Sequence, residues 1–548
     1  MSEQELILHI PHTARAGVER ELKRGAVTRI RLRALYFDTP SRELVQARVA
    51  LRLRQEGRQW VQTLKMPGEH VLSRIEINHN RPGPVLDLSV YVGTAAEAVI
   101  GGITEALAVC YETDVVRHLR KVRTRQGTVE IALDIGCLRA GKIELPISEI
   151  EFELLSGKLD AVFELGRKWQ RTHGLVLDAR SKSERGDQLA LLAQKLLAIE
   201  SQPENVQIAA RTAAIAQFWP ARGAVSVKLS TDMSAEQALA AITLECLDQI
   251  TRNAAILAEI DTAGICKAGH AEHTHQLRVG IRRLRSAWSF FNGITPLPSV
   301  ELRESIKQFF SLLGGTRDDD VLNETILPVL RAAGQPPLVI APEDNPSASQ
   351  DLIPASVDFQ AWLVAMLEGA LLPAKHKEHN LIRQSEPAVQ APGDHADEGS
   401  SGPIDARIIP MQPDQQPRAL TLKQALVRKL RKWHKQVLRD GLKFHELDIE
   451  PRHELRKRAK KLRYALQFSE ALLPAAKLKN YRKQLSAVQD ILGEMNDLAV
   501  ARERFVALRD TQPSAWFACG WITSRLDALV LDATNAFKQL EKTETFWR

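Results

Sequence analysis

Charged side chains in the first third of the chain recur at every second or fourth position. Because successive side chains of a β-strand point to opposite faces, each such set would share one face of a strand. The sets are Glu3 and Glu5, Arg52 and Arg54, Arg74 and Glu76, Glu130 and Asp134, and the trio Glu149, Glu151 and Glu153. Acids that hold a hard divalent cation and bases that hold a multiply charged anion are the groups that phosphoryl transfer to water requires.

The segments around these charges alternate between polar and apolar residues, which is typical of strands. Eight segments show this period: 3–10, 29–37, 48–55, 58–66, 71–79, 112–123, 128–137 and 147–155. Helical patterns occur near 13–24, 94–110, 158–173 and 184–198. We therefore predict an α+β fold in which eight antiparallel strands form a tunnel-like barrel with flanking helices, followed by an all-α helical bundle.

Strands with one polar and one apolar face leave two arrangements open. The charges can form an ordinary polar exterior, or, if helices cover the outside of the barrel, they line its lumen. In the second arrangement the candidate ligands of Mg²⁺ or Mn²⁺ are the carboxylates of Glu3, Glu5, Asp134, Glu149, Glu151 and Glu153. The candidate cations for a multiply charged anion are Arg52, Arg54, Lys65, Arg74, Arg117 and Lys182.

Short motifs in this region resemble the CYTH domain of the triphosphate tunnel metalloenzymes. They include "YFDTP" at 36–40, "ALRLR" at 50–54, "RIEI" at 74–77, "EIEFELLSG" at 149–157 and "SKSERG" at 181–186. The resemblance implies an eight-stranded tunnel that hydrolyses triphosphates or cyclises ATP with Mg²⁺ or Mn²⁺. No adenine-recognising residue can be picked from the sequence, so the cyclase alternative rests on the family alone.

One position departs from the family pattern. The opening ExExK motif of the family places a lysine where this sequence has Ile7. A lysine there, on the face of Glu3 and Glu5, would bring an ammonium to the phosphate chain or to the attacking water. Its loss costs several kcal/mol of transition-state stabilisation, on the scale of one electrostatic donor.

Beyond residue 225 the pattern becomes helical and contains an internal repeat. "HQLRVGIRRLRSA" at 275 is echoed by "HELRKRAKKLRYA" at 453, and "LLGGTRDDDV" at 312 by "ILGEMNDLAV" at 491. Ser234 and Gln237 have the spacing of a capping box at the start of this region. We predict a barrel domain at 1–200, a linker at 201–227 and a helical domain at 228–548. Its two similar halves, 228–333 and 419–548, flank a Pro-rich, partly disordered insertion at 334–418 that contains one buried helix, "VDFQAWLVAMLEGALL".

In the first repeat His275, Arg278, Arg282 and Arg285 form one helical stripe, and in the second His453, Arg456, Lys460 and Arg463 form the equivalent stripe. The apolar residues of each copy share another face. In the first copy the buried face is Leu277, Ile281, Leu284 and Trp288, and in the second it is Leu455, Ala459, Leu462 and Leu466. Arginine suits phosphate oxygens because it offers planar, bidentate donors. The alternative is that acids neutralise the stripes internally, namely Arg317 with Asp318, Asp319 and Asp320, or Asp490 and Asp497.

The motifs "HQLRVGIRRLR", "LGGTRDDDV" and "HELRKRAKKLRY" make residues 228–548 similar to a CHAD domain. The resemblance implies polyphosphate binding by His275, Arg278, Arg282, Arg283, Arg285, His453, Arg456, Lys460, Lys461 and Arg463. A CYTH domain followed by a CHAD domain resembles bacterial inorganic triphosphatases. This favours tripolyphosphate as the substrate.

Composition limits the remaining classes of function. The net charge of +7 suits polyanionic partners, but aromatic residues make up only 5% and no RNA-binding or helix-turn-helix pattern occurs, so nucleic acid is not expected. The five cysteines are far apart without a CxxC motif, which fits a reducing cytoplasm. No signal peptide or membrane span is expected.

Together these features predict a metal-dependent inorganic triphosphatase whose helical domain binds polyphosphate. Glu5, Glu151 and Lys65 are the catalytic candidates, with water activated near the two carboxylates. The alternative that Ile7 raises is a catalytically weak or inactive polyphosphate-binding protein of the cytoplasm, associated with polyphosphate granules. The oligomeric state does not follow from the sequence.

Overall fold

The computed structural model describes residues 2–68, 72–258, 260, 271–313, 321–338, 340, 353–372, 420–545 and 547. The predicted neutralising residues Arg317, Asp318, Asp319 and Asp320 lie outside these ranges. Most of the predicted insertion at 334–418 also lies outside them.

Eight antiparallel strands close into a barrel. They are β1 (Ser2–His9), β2 (Thr28–Asp38), β3 (Ala50–Glu56), β4 (Gln59–Pro67), β5 (Ser73–Arg81), β6 (Ala108–Arg123), β7 (Gly127–Ala140) and β8 (Ile143–Gly157). The order is β5, β4, β3, β2, β6, β7, β8, β1, and β1 pairs again with β5. A two-residue strand, β9 (Val176–Leu177), extends the sheet beside β1. The predicted barrel is therefore confirmed.

The apolar face of the barrel points outward against helices, so the polar face lines the lumen. On β1, Leu6 and Leu8 are fully buried and Glu5 alternates with them. Helix α4 (Asp160–His173) covers this face, and a β-carbon at Gly166 would come within 2.4 Å of the Leu6 side chain. Of the two arrangements that strand alternation leaves open, the structure has the lumenal one here.

Other helices around the barrel are short. They are α1 (Arg15–Leu22), α2 (Glu43–Gln46) and α3 (Glu97–Gly101). The helix predicted near 94–110 is wrong beyond residue 101, because β6 begins at Ala108 and its residues pair with β2.

Helix α5 (Lys182–Glu200) begins inside one end of the barrel. The Ser181 side chain caps it by accepting the Glu184 N–H at 3.2 Å. The Tyr111 hydroxyl donates to the Ser183 carbonyl at 3.0 Å, and a β-carbon at Gly186 would lie 2.2 Å from the Tyr111 ring. Only glycine therefore allows the first turn of α5 to sit this close to β6.

The stretch 201–227, predicted as a linker, contains a helix. This is α6 (Glu204–Ala216), and Phe218 and Trp219 after it are buried. Ala214, Phe218 and Trp219 join a core with α5, whereas Val206 and Ile208 of α6 are exposed. Part of the predicted linker is therefore helical and packs against the barrel domain.

The helical domain follows. Its helices are α7 (Ala235–Leu257), α8 (Ala271–Phe291), α9 (Val300–Leu312), α10 (Leu327–Ala332), α11 (Val357–Leu371), α12 (Leu422–Gly441), α13 (Ile449–Phe468), α14 (Ala475–Leu508) and α15 (Ala515–Lys542). The capping box of Ser234 and Gln237 is present at the start of α7, and α11 is the buried helix predicted within 334–418. Among the described helices, none is long and apolar enough to cross a membrane.

The two repeats form helices α8 and α13, which pack against one another. The Arg283 guanidinium of α8 lies 5.7 Å from the ring centre of Phe468 on α13. The predicted apolar faces are buried on both helices: Leu277, Ile281, Leu284, Leu455, Ala459, Leu462 and Leu466 are fully buried, and Trp288 is 5% exposed. Apolar burial between the copies thus joins the two halves.

Candidate active site

Three carboxylates form a cluster on one wall of the lumen. Asp134 on β7 pairs directly with Glu149 on β8, and Glu151 follows two residues along the same face. All three are buried, and one carboxylate oxygen of each lies within 4.8 Å of the others. Strand register alone produces this cluster, because alternate residues of neighbouring strands share a face.

Cations from β6 and α5 compensate the three carboxylates. The Lys182 ammonium lies 2.7 Å from Asp134 and 2.6 Å from Glu151, and it also contacts Glu149. Arg117 donates to Asp134 at 2.6 and 2.7 Å and to Glu151 at 2.5 Å. Arg185, one turn along α5, pairs with Glu149. The ammonium of Lys182 therefore lies among the oxygens that would surround a cation.

The pKa values in this cluster follow from these contacts. Burial by itself raises the pKa of Asp134 and of Glu151, but the charges of Lys182 and Arg117 outweigh it, and both pKa values are lowered. Burial would lower the pKa of Lys182, yet the three carboxylates hold it above its ordinary value. Asp134, Glu151 and Lys182 are therefore charged near neutral pH.

The opposite part of the lumen carries a second charged group. Lys65 on β4 lies 3.1 Å from Glu3 and 2.7 Å from Glu76, and Arg52 on β3 lies 3.5 Å from Glu76. Arg52 also donates to the Tyr36 hydroxyl at 3.3 Å. Burial and a hydrogen bond with Glu76 raise the pKa of Glu3 to about 7. Glu76 itself has a lowered pKa, because that hydrogen bond and the charges of Lys65 and Arg52 outweigh its burial.

Glu5 connects the two parts of the lumen. Burial and the nearby Glu151 carboxylate raise its pKa, while Lys65, Lys182 and Arg117 oppose this rise. Because Glu5 interacts with cations from both walls, the charged residues face one shared lumen. Glu153, opposite Glu5 in the register, also has a pKa raised by burial and by Glu5.

Ile7 lies at the centre of this arrangement. It follows Glu5 by two residues on β1, so it faces the lumen, and it pairs in register with Glu151 on β8. An apolar side chain therefore stands beside the carboxylate cluster, at the position where the family pattern has lysine.

Two predicted cations have other partners. Arg54 bonds to Glu56 on its own strand at 2.6 Å, and Arg74 donates to the Ser73 carbonyl at 3.0 Å. Arg54 also interacts with the charges of Arg52, Arg117 and Glu76, so it belongs to the lumenal set. The structure brings together Glu3, Glu5, Lys65, Arg52, Arg54, Arg117, Asp134, Glu149, Glu151, Glu153 and Lys182.

The predicted site leaves out three lumenal residues. Glu76 lies two residues after Arg74, so strand alternation was a sufficient signal for it. Arg185 lies three residues after Lys182, at the spacing of one helical turn, within a motif already recognised. Tyr36 could not be found, because a tyrosine in a strand usually packs in a core, and only the contact with Arg52 shows its lumenal role.

The predicted polyphosphate-binding residues lie on α8 and α13. Arg278 donates to the Leu313 carbonyl and lies over the Phe310 ring at 4.7 Å, and Arg285 lies over the same ring at 5.5 Å. On α13, burial lowers the pKa of His453, with Lys457 and Arg456 adding to the effect. Lys461 is exposed. The other members are half-buried, namely His275, Arg282, Arg456, Lys460 and Arg463.

Arg283 does not lie with these residues. It is fully buried, donates to Gln249 at 2.6 Å, and pairs with Glu245 at 2.6 Å. Its phase on α8 differs from the stripe by roughly a quarter turn, which turns it toward α7. The structure therefore places Arg283 in the core, and we remove it from the predicted binding surface.

Two domain families match this chain. A CYTH domain matches residues 5–186 and a CHAD domain matches residues 241–506. An inorganic triphosphatase of Haemophilus influenzae is 33% identical over 158 residues, which is 28% of this chain and 44% of that protein. The matched part thus spans less than half the length of this relative.

Two solved structures illustrate the matches to this chain. The CHAD domain of Ricinus communis is 24% identical, covers 59% of this chain and 98% of its own, and gives a TM-score of 0.39. A Hippeastrum adenylyl cyclase candidate with a dominant triphosphatase activity is 18% identical, covers 34% and 95% of the two chains, and gives a TM-score of 0.28.

Proposed function

Because this chain carries a CYTH domain followed by a CHAD domain, we propose that its barrel hydrolyses inorganic triphosphate to diphosphate and phosphate. The single observation that carries the proposal is the lumen. Carboxylates and cations converge there, and Glu5 interacts with both walls. Phosphoryl transfer to water needs this pairing of groups.

Asp134, Glu149 and Glu151 would hold the metal, which we propose to be Mg²⁺ or Mn²⁺. Their oxygens are the ligand type that hard divalent cations prefer, and they lie close enough to share one ion. When bound, such an ion neutralises charge on phosphate oxygens. The ion would also take over the charge compensation that Lys182 now provides to these carboxylates.

The cations of the lumen bind and orient the triphosphate. Arg52, Lys65, Arg117 and Lys182 present guanidinium and ammonium donors toward one space, and phosphate oxygens accept from such groups strongly. Glu5, whose pKa burial raises, is suited to accept the proton of the attacking water on a carboxylate oxygen. Charge that develops on the leaving diphosphate is stabilised by the nearest cations.

The test is phosphate release from a panel of tripolyphosphate, long polyphosphate, ATP and thiamine triphosphate, each with Mg²⁺ and with Mn²⁺. We expect tripolyphosphate to be the preferred substrate. Glu151→Gln should abolish turnover, because it removes a metal ligand without changing shape. Arg139→Gln alters a partly exposed ion pair on the outside of the barrel and serves as the control. Absence of turnover with every substrate and metal would remove the proposal.

For the helical domain we propose polyphosphate binding by the stripes of α8 and α13. The proposal is supported by the match to the CHAD domain and by the clustering of cations at helical spacing, where acids are normally interspersed. Binding to polyphosphate granules in the cytoplasm would follow from this affinity.

A second candidate function rests on Ile7. Because Ile7 stands in the lumen opposite Glu151, the barrel lacks one donor beside the cluster, and a protein that grips phosphate chains without rapid turnover is the alternative. Ile7→Lys distinguishes the two. A gain of about 100-fold or more in turnover, the scale of one electrostatic donor, would show that the natural barrel is impaired. Ile7→Met controls for the change of shape.

A further inference from the structure

The first turn of α5, which brings Lys182 and Arg185 to the carboxylate cluster, is also bound by the helical domain. Arg252 on α7 donates to one Glu184 carboxylate oxygen at 3.1 Å and pairs with the other. Glu184 lies between Lys182 and Arg185, and its backbone N–H is the one that Ser181 caps. The Ser181 cap therefore holds the backbone of this turn from within the barrel domain, and Arg252 holds the Glu184 side chain from the helical domain.

Arg252 is itself rigidly placed. Its Nε donates to Asp248, one turn earlier on α7, at 2.5 Å, and Asp248 also pairs with Arg222 at 2.9 Å. Because Asp248 already orients the planar guanidinium of Arg252, the contact with Glu184 costs little further side-chain freedom. Helix α7 is in turn fixed to α8, because a β-carbon at Gly280 would lie 2.8 Å from Ile250.

We propose that Arg252 is a positioning residue for the reaction in the barrel, acting through Glu184 on the placement of Lys182. The inference rests on the proposed function. It assigns the helical domain a role in the barrel besides any polyphosphate binding of its own. Without Arg252 the first turn of α5 keeps its backbone cap and the contacts of Lys182 with the carboxylates, but the Glu184 side chain is no longer fixed, so the Lys182 ammonium is positioned less precisely at the cluster.

The experiment compares the full-length wild type with Arg252→Gln, Arg252→Lys and a control, Arg167→Gln. Arg167 on α4 pairs with Glu368 on α11 at 3.1 Å, so the control removes another contact between the domains without touching α5. Three properties are measured: kcat and KM for tripolyphosphate, the dissociation constant for tripolyphosphate without metal by calorimetry, and amide hydrogen exchange of the first turn of α5.

In Arg252→Gln we expect kcat/KM to fall and the dissociation constant to rise, each by about 10-fold, the usual effect of removing an outer partner of a site residue. Exchange at residues 182–186 should accelerate. Arg252→Lys should recover part of each change, because charge remains and bidentate geometry is lost, and Arg167→Gln should resemble the wild type.

Charge reversal supplies a further arm. Arg252→Glu combined with Glu184→Arg restores the pair in the opposite sense and should bind tripolyphosphate more tightly than either single variant.

Unchanged kinetics and affinity in Arg252→Gln, alongside an active wild type, would overturn the positioning role and leave the proposed function intact. A wild type that binds tripolyphosphate but does not turn it over contradicts the proposed function, while the affinity and exchange measurements still decide the role of Arg252. A wild type that does neither overturns both.

Discussion

Lys182 determines the charge balance of the lumen at the scale of single residues. Its ammonium contacts all three carboxylates of the cluster, and its side chain is only 15% exposed. Removing one partner of a buried ionic group costs about 3–5 kcal/mol, because the remaining charges lose their compensation. The same carboxylates are the proposed metal ligands, so the ammonium and a divalent ion serve related electrostatic roles.

We expect Lys182→Gln to lower the melting temperature in the absence of metal. Added Mg²⁺ or Mn²⁺ should then stabilise this variant more than it stabilises the wild type, since the ion replaces the missing charge. Thermal unfolding with increasing metal measures both effects. Lys142→Gln, which alters an exposed pair with Glu200, should leave both curves unchanged. An equal metal effect in Lys182→Gln and the wild type would contradict the assignment of these ligands.

Arg282 and Arg283 are neighbours with different predicted roles. Arg283→Gln removes a fully buried guanidinium and leaves Glu245, whose side chain is 12% exposed, without its ionic partner, so we expect a loss of about 3 kcal/mol in the free energy of unfolding. Arg282→Gln should change stability little and weaken polyphosphate binding instead. Denaturant unfolding and polyphosphate titration of both variants check this. Equal effects of the two variants on binding would show that the stripe is not the binding surface.

At the scale of elements, two contacts matter: that of the first turn of α5 with the helical domain, described above, and that of α12 with α14. His434 on α12 accepts or donates a hydrogen bond with the Tyr481 hydroxyl of α14 at 2.8 Å, and its ring lies 5.0 Å from that of Trp547. Burial, with the charge of Lys435, lowers the pKa of His434 to about 4, compared with 6.5 for the free side chain.

This lowered pKa makes stability depend on pH. Above about pH 6.5, His434 is neutral in both the folded and unfolded states, and its protonation costs no free energy of unfolding. As the pH falls from 6.5 to 4 the unfolded state binds a proton that the folded state excludes, so up to about 3 kcal/mol is lost. Denaturant unfolding between pH 7 and pH 4 should show this loss in the wild type and a smaller one in His434→Gln. His445→Gln, at an exposed position, should behave like the wild type.

At the scale of the whole molecule, two charged regions lie on one chain: the closed lumen of the barrel and the half-buried stripes of α8 and α13. Binding of a long anion to exposed cations weakens with salt, whereas a buried charged lumen is screened less. Tripolyphosphate binding in the barrel should therefore depend less on salt than binding of long polyphosphate.

Lys460 on α13 and Lys142 on the barrel domain test the stripe. Lys460 belongs to it, whereas Lys142 is exposed on the barrel domain and pairs with Glu200 at 3.5 Å. Lys460→Gln should reduce the slope of log affinity against log salt for long polyphosphate by about 1, and Lys142→Gln should not. Competition with RNA at matched salt should favour polyphosphate. A uniform response of the two lysines would indicate a diffuse surface charge instead of a defined site.

Much of the barrel was predictable because the strand period is local. Alternating residues identify eight strands within about four residues of their observed bounds, and they place Glu149 with Glu151, and Glu3 with Glu5, on common faces. Helical spacing likewise assigns Leu277 and Leu455 to buried faces, and both are fully buried. Periodicity depends only on neighbouring residues, so one sequence is enough to show it.

Tertiary structure decided which of these faces meet. Nothing local shows that α5 enters the barrel and places Lys182 among carboxylates from β7 and β8, or that Arg252 reaches Glu184 from 68 residues away. Arg283 belongs to a basic motif but lies in the core, and Phe218 and Trp219 in the predicted linker are buried, because partners distant in sequence cover them. Sequence by itself determined the strands, the stripes and their charges, whereas the closure of the barrel and the contacts between the domains depend on long-range packing that no local period encodes.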